Sequence, residues 1–314
     1  MDRIFSPLGS RPTASQVAAG HDLSGQRAIV TGASAGIGVE TARALAETGA
    51  EVVLAVRDMA AGHKLADDIV ADGGSAYASH LDLMDLDSVR AFAGREGQRP
   101  LKLLINNAGI MGCPFARTLQ GFEAQLGVNH VAHHLLATLL LPALQRGVPS
   151  RVVALSSEAH RWGHFRFDDP HCANRPYDAL VAYGQSKTAN ALFAVAFDMR
   201  GAASGVRAFS VMPGGILTSL GRSLSDEDRQ RMEITEEMIR EAKTVSQGAA
   251  TTIWAALGSE LEGKGGLYLE DMATALPADQ TGDSKGVMDY AVDPDTAERL
   301  WTWTETAISE TEEG

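Results

Sequence analysis

Short apolar or β-branched runs recur along the chain at 27–31, 51–56, 75–81, 101–105, 151–156 and 206–211, and a longer segment separates each from the next. In those intervals the apolar positions return at helical spacing, which predicts helices over 37–48, 59–71, 85–96, 121–145, 182–200 and 245–257. The first, fourth, fifth and sixth runs are apolar almost without a break, as parallel strands are when helices cover both of their faces. Right-handed crossovers then wind the alternating elements into a single doubly wound α/β domain, a mostly parallel sheet of about seven strands flanked by helices. Glycines fall at the carboxyl ends of the apolar runs more often than within them, where they mark the change from strand to helix.

One domain over residues 23–275 accounts for this pattern, with an N-terminal extension at 1–22 and a C-terminal extension at 276–314. The first is polar and marked by Pro and Gly; the second finishes in Ser-Glu-Thr-Glu-Glu-Gly, a solvated acidic tip. No apolar run approaches the ~18 residues that a membrane span needs, and the best, 135–144, is broken by Thr138 and Pro142. With no apolar stretch of a secretory signal before His21 either, the expected compartment is the cytoplasm and no membrane partner is expected.

Composition narrows the chemistry. At 45% hydrophobic residues the chain of 314 can fill a core, while 27 Lys and Arg against 40 Asp and Glu leave a net charge of −13. Such a chain offers no basic surface to a row of phosphates, so nucleic acid is not an expected partner. A single anionic ligand must instead be held by local devices such as backbone N–H groups at a helix start. The 2 cysteines, Cys113 and Cys172, are too few for a disulfide framework or a Cys-rich zinc site. His130, His133 and His134 share an apolar helix without an arranged Glu or Cys, so they read as packing residues and no metal is expected. His160 and His164 read as solvated loop histidines.

Directly after the first run stands Thr31-Gly32-Ala33-Ser34-Ala35-Gly36-Ile37-Gly38, followed by Val39, Ala42, Leu45 and Ala46 at helical spacing. Glycines between a strand and a helix let the backbone approach a pyrophosphate, whose charge the first N–H groups of the helix meet. Arg57, at the end of the second run, stands where a dinucleotide fold reads the adenosine ribose. A guanidinium there pairs with a 2′-phosphate and favours NADP, whereas an acid would select NAD. Asp58 beside it would repel a phosphate, so NAD stays open, as does an ordinary Arg57–Asp58 surface pair. Further on, Tyr183 and Lys187 are four apart in a helical pattern and share a face, so an ammonium can lower the proton affinity of a phenol. Taken alone, such a pair is more often structural than catalytic.

Five further motifs follow the glycine loop in order: Asp82-Leu83, Asn106-Asn107-Ala108-Gly109, Ser156-Ser157, Tyr183-Gly184-Gln185-Ser186-Lys187 and Pro213-Gly214. With them the sequence resembles the short-chain dehydrogenase/reductase family. Asn107-Ala108-Gly109-Ile110-Met111-Gly112-Cys113-Pro114, Gly127-Val128-Asn129-His130 and Gly265-Gly266-Leu267-Tyr268-Leu269-Glu270-Asp271 resemble its retinol dehydrogenase and WW-domain oxidoreductase-like branch. The likeness runs over residues 13–275, and neither the membrane anchor of vertebrate retinol dehydrogenases nor a WW domain is expected.

That resemblance implies a Rossmann-type fold and hydride transfer between NADP(H), or alternatively NAD(H), and a small hydrophobic alcohol or carbonyl. It makes Tyr183 the proton donor or acceptor, has Ser157 hydrogen-bond the substrate oxygen, gives Lys187 to the nicotinamide ribose and lets Asn129 help hold a water. Ser157 is preferred to Ser156 by the family's position, and period-2 alternation sends the two side chains to opposite faces. The cofactor contacts it implies are Gly32, Ser34, Gly36, Ile37 and Gly38, then Arg57, Asp82 and Leu83, then Asn107, Ala108 and Gly109, and finally Pro213, Gly214, Ile216 and Thr218. The segments 158–182 and 219–243 should form an apolar substrate pocket, through Trp162, Phe165, Phe167 and Tyr177 and through Met232, Ile234, Met238 and Ile239. A homodimer paired through the helices that carry Asn129 and Tyr183 is expected. An NAD-preferring alcohol dehydrogenase of the same fold and a non-catalytic dinucleotide-sensing protein remain the competing readings.

Overall fold

The computed structural model describes residues 3–281 and 285–313. The positions outside it, 1–2, 282–284 and 314, all fall in the two expected extensions. In chain order the elements are α1 (Ala14–Ala18), β1 (Arg27–Thr31), α2 (Ile37–Glu47), β2 (Glu51–Val56), α3 (Met59–Ala71), β3 (Ser75–His80), α4 (Leu86–Glu96) and β4 (Leu103–Asn106). There follow α5 (Ala124–Leu126), α6 (Ala132–Arg146), β5 (Ser150–Leu155), α7 (Ala179–Gly201), β6 (Val206–Met212), α8 (Asp226–Arg231), α9 (Glu236–Glu241), α10 (Val245–Leu257), β7 (Leu267–Glu270), β8 (Ala273–Thr274) and α11 (Pro294–Glu313).

The strands form one sheet in the order β3-β2-β1-β4-β5-β6-β7-β8, and only the last pairing, β7 with β8, is antiparallel. The order reverses between β1 and β4, which opens a crevice at the carboxyl ends of the strands. Alternation of side chains along each strand divides the core. Ile29 faces a cluster with Phe92, Leu136 and Phe197 from α4, α6 and α7, whereas Val30 faces Leu45, Ile253 and Trp254 from α2 and α10.

The sheet exceeds the expected strand number through β8, a two-residue strand after a turn in which Asp271 and Met272 both take positive φ. The single helix expected over 121–145 is divided. Glu123 caps α5 by accepting the N–H groups of Gln125 and Leu126, and a wide π-turn, Gly127–Val131, leads into α6.

In their described parts, both segments expected as extensions pack against the rest of the chain. Thr13 and Gln16 form a reciprocal cap on α1, whose Ala14, Val17 and Ala18 are buried in the second cluster. α11 lies on the faces of α6 and α7: Ala297, Leu300 and Ile308 are buried, Trp301 stacks beside Phe193, and Thr304 and Glu305 bond His130 and His134. The two helices expected to pair across a homodimer thus carry α11. Among the described residues no helix is long and apolar enough to cross a membrane.

Candidate active site

The carboxyl ends of β1, β2, β4, β5 and β6 open into a cleft of about 920 Å³. Every residue that the sequence nominates for cofactor contact lines it, as do Ser157, Tyr183 and Lys187; Asn129 does not.

At one end the loop after β1 suits a pyrophosphate. Gly36, at the cap position before α2, takes φ of 58° and offers no side chain to the first N–H groups of the helix, so these are left for a ligand. A Cβ on Gly38 would stand 2.4 Å from the Gly32 carbonyl and 2.6 Å from Asn107 Nδ2, so only glycine allows the loop to close on β4. Thr218 arches over from the loop after β6, with its Cγ2 3.7 Å from the place of a Cβ on Gly36. These residues fit a dinucleotide, whose phosphates would lie against the N–H groups at 36–38.

A polar network that the sequence did not announce ties this loop to the reacting end. The Thr31 hydroxyl accepts the backbone N–H groups of Asn107 and Ala108, both at 3.0 Å, and Asn107 Nδ2 donates to the Thr31 carbonyl at 2.8 Å. His133 Nδ1 faces the Asn129 carbonyl at 3.0 Å, which can only accept, so its proton is on Nδ1 and Nε2 is free to accept from Thr31 at 2.9 Å. Burial holds the His133 pKa down at about 4, and the ring is neutral.

At the other end, Asp178 caps α7 by accepting the N–H groups of Leu180 and Val181 and so starts the helix earlier than expected. Tyr183 and Lys187 follow on its inner face, both buried. Lys187 Nζ donates to the Leu155 carbonyl at 2.9 Å and lies 5.5 Å from the centre of the Tyr183 ring. Ser157, half-buried just beyond the end of β5, shares the cleft with the phenol, whose proton affinity its hydroxyl lowers. The expected lowering of the phenol by Lys187 is not found: burial pushes Tyr183 up to about 12 and pulls Lys187 down to about 8. Counting only the protein's own groups, Tyr183 carries its proton at neutral pH and Ser157 alone favours its release. Ser156 points the other way, to the Lys187 carbonyl.

Asn129 sits behind the cleft in the π-turn. Its Oδ1 accepts the Ile110 N–H at 2.8 Å and its Nδ2 donates to the Ile110 carbonyl and to Ser186 Oγ. It thereby holds the turn after β4 against α7. A Cβ on Gly109 would lie 3.1 Å from Asn129 Oδ1 and 3.6 Å from Lys187 Nζ, so the two side chains flank this glycine.

At the adenosine end, the described residues show no ion pair between Arg57 and Asp58; Asp58 is used instead as the cap of α3, accepting the Ala61 N–H. Arg57 is exposed at the cleft wall. Asp82 bonds the Met84 N–H in a local turn, while Asp85 caps α4. On the substrate side, Trp162, Met232, Ile234, Met238 and Ile239 line the cleft. The other three aromatics turn away from it. Phe165 is buried against Phe167 and Trp303, Phe167 lies under Arg299, and the Tyr177 hydroxyl donates to Glu123 and the Cys113 carbonyl. Among the described residues no cluster of His, Cys, Asp and Glu could hold a metal.

The sequence model of the short chain dehydrogenases matches residues 26–229. A Streptomyces lividans protein named "Probable oxidoreductase" is 43% identical over 292 residues, covering 90% of this chain and 97% of its own. Retinol dehydrogenase 12 of Mus musculus is 40% identical, with 89% of this chain and 85% of that protein covered. Among solved structures, one from Beutenbergia cavernae, described as an NAD(P)-dependent gluconate 5-dehydrogenase by assignment only and holding NADP at low occupancy, aligns with a TM-score of 0.65 at 26% identity over 80% of this chain and 96% of its own. The fold, the ordered motifs and these relatives agree: the chain belongs to the short-chain dehydrogenase/reductase family, in its retinol dehydrogenase-like branch, and is an NAD(P)-dependent oxidoreductase.

Proposed function

We propose that the protein transfers a hydride between NADP(H) and a hydrophobic alcohol or carbonyl, with Tyr183 as the general acid or base. The observation that carries this reading is the convergence of the Tyr183 phenol, the Ser157 hydroxyl and the Lys187 ammonium in one cleft with the glycine loop and Arg57. The nicotinamide supplies the hydride when bound. Ser157 orients and polarises the carbonyl oxygen, and Tyr183, protonated at neutral pH, gives its proton to the alkoxide as charge develops there. Lys187, fixed to the Leu155 carbonyl, places a positive charge beside the phenolate that remains. Asn129 keeps the 109–110 turn and Ser186 in register with that face.

Arg57, which has no carboxylate partner among the described residues, supports NADP over NAD through a charge-assisted contact to a 2′-phosphate. The Met and Ile side chains of α8, α9 and their flanks, with Trp162, support an apolar substrate. The test is a panel of hydrophobic aldehydes, ketones and secondary alcohols followed by nicotinamide absorbance with each cofactor. Turnover with NADPH exceeding that with NADH is expected, and a protein that binds the cofactor without reducing or oxidising any of them would overturn the proposal.

A further inference from the structure

The turn that follows Ser157 is joined to a distant part of the chain through one enclosed side chain. His160, in the Glu158–Trp162 turn, is 0% exposed. Its Nε2 lies 3.1 Å from the backbone N–H of Met288. An amide N–H only donates, so Nε2 is the accepting nitrogen and the proton sits on Nδ1. Nδ1–H therefore donates to the Ser157 carbonyl, at 2.7 Å. Two more donors reach the same oxygen: the His160 backbone N–H at 3.1 Å and the Tyr268 hydroxyl at 3.2 Å. The His160 carbonyl is held in turn by Thr188 of α7 at 3.0 Å and by Tyr290 at 2.9 Å. The Ser157 hydroxyl accepts the Ala159 N–H at 3.2 Å, which leaves its own proton available to the cleft.

From this geometry we propose that His160 is the positioning residue for the Ser157 hydroxyl, and that the segment at 286–290 fixes its tautomer and so forms part of the framework of the reacting centre. The inference rests on the role given to Ser157 above. Were the imidazole to turn or change tautomer, Nδ1 would present a lone pair to a carbonyl oxygen, and the strand end that carries Ser157 would shift. A displacement of about 1 Å at a group that polarises the carbonyl costs on the order of 100-fold in rate.

Met288→Pro removes the amide N–H at a position whose φ of −72° already suits proline, and Met288→Ala retains it. With NADPH and a hydrophobic aldehyde, kcat for Met288→Pro is expected about tenfold below that for Met288→Ala, with KM for NADPH the same in both within about twofold. His160→Asn can reproduce the Nδ1 donation through its amide, so its kcat is expected about tenfold or more above that of His160→Leu. Equal kcat within either pair, or a loss that follows NADPH affinity, would overturn the inference; should His160→Leu fail to fold, the Met288 pair decides. Absence of turnover by the unaltered protein, or full activity of Tyr183→Phe, would instead remove the proposed reaction and this inference with it. A required Tyr183 with indistinguishable pairs would remove the inference alone.

Discussion

The Lys187 ammonium lies 5.5 Å from the centre of the Tyr183 ring, one turn further along α7, and is held by the Leu155 carbonyl. Removing the phenol oxygen while leaving this arrangement in place separates chemistry from binding. Tyr183→Phe is expected to lower kcat for carbonyl reduction by about 10²–10⁴, with NADPH binding, followed by fluorescence, within a few-fold of the unaltered protein. Lys187→Met is expected to lower kcat and to weaken NADPH binding together.

The acid limb and the alkaline limb of the reduction should differ. Tyr183, pushed up to about 12, keeps the proton it donates throughout the neutral range, whereas Lys187, pulled down to about 8, loses its charge as the pH rises through that value. Reduction is therefore expected to stay level from pH 6 to about 7.5 and to fall above about 8. In the opposite direction the phenol must first release its proton, and oxidation is expected to rise up to about pH 8 and to level off above it, where Lys187 loses its charge. Profiles of kcat/KM in both directions check the pair.

Two buried histidines link stability to pH. His133 and His160 are each brought from 6.5 to about 4 by burial, so in the folded state both are neutral where the unfolded chain binds protons. The stability they allow is complete above pH 6.5 and is lost as the pH falls from there towards 4, by about 3 kcal/mol each at the lower limit. Thermal unfolding followed from pH 7.5 to 4.5 should show this decline, and His160→Asn should make it shallower.

Arg57→Asp tests the reading of the adenosine end. Loss of a charge-assisted contact and gain of a carboxylate are expected to raise KM for NADPH by about 10- to 100-fold and to change that for NADH little or favourably. An unchanged preference would show that Arg57 does not touch a 2′-phosphate.

The C-terminal helix is expected to behave as core. Leu300, on the inner face of α11, is 1% exposed, and Leu300→Ala should cost about 2–5 kcal/mol in denaturant unfolding. With α11 on α6 and α7, the intact chain is expected to sediment as a 33.2 kDa monomer in place of a homodimer paired through that face.

What could be read in advance was what spacing encodes locally. The glycine loop stands between a strand and a helix, and Tyr183 and Lys187 are one turn apart, so sequence alone joins each set. The signal for α11 was also present: Asp293 caps it, Pro294 opens it, and Ala297, Leu300, Trp301, Thr304 and Ile308 return on one face. Its acidic end drew the reading towards a solvated tail. The roles of His133 and His160 were of another kind. Their partners Thr31 and Met288 lie 102 and 128 residues away, and no periodicity reports a contact over that range. Nor could aromatic composition say that Trp162 faces the cleft while Phe165, Phe167 and Tyr177 face away, since an irregular segment has no period from which to assign sides.

The π-turn at Gly127–Val131 has a consequence for chain length. Such a turn holds about one residue more than an α-turn, so deletion of a single position there would tighten it and shift the side chains it carries: His130 from Thr304, and Asn129 from Ile110 and Ser186. A one-residue deletion in an exposed connection such as 98–100 changes little beyond the connection itself. The same deletion in this turn would loosen the C-terminal helix and the turn after β4 at once, although Thr304 is far from it in sequence.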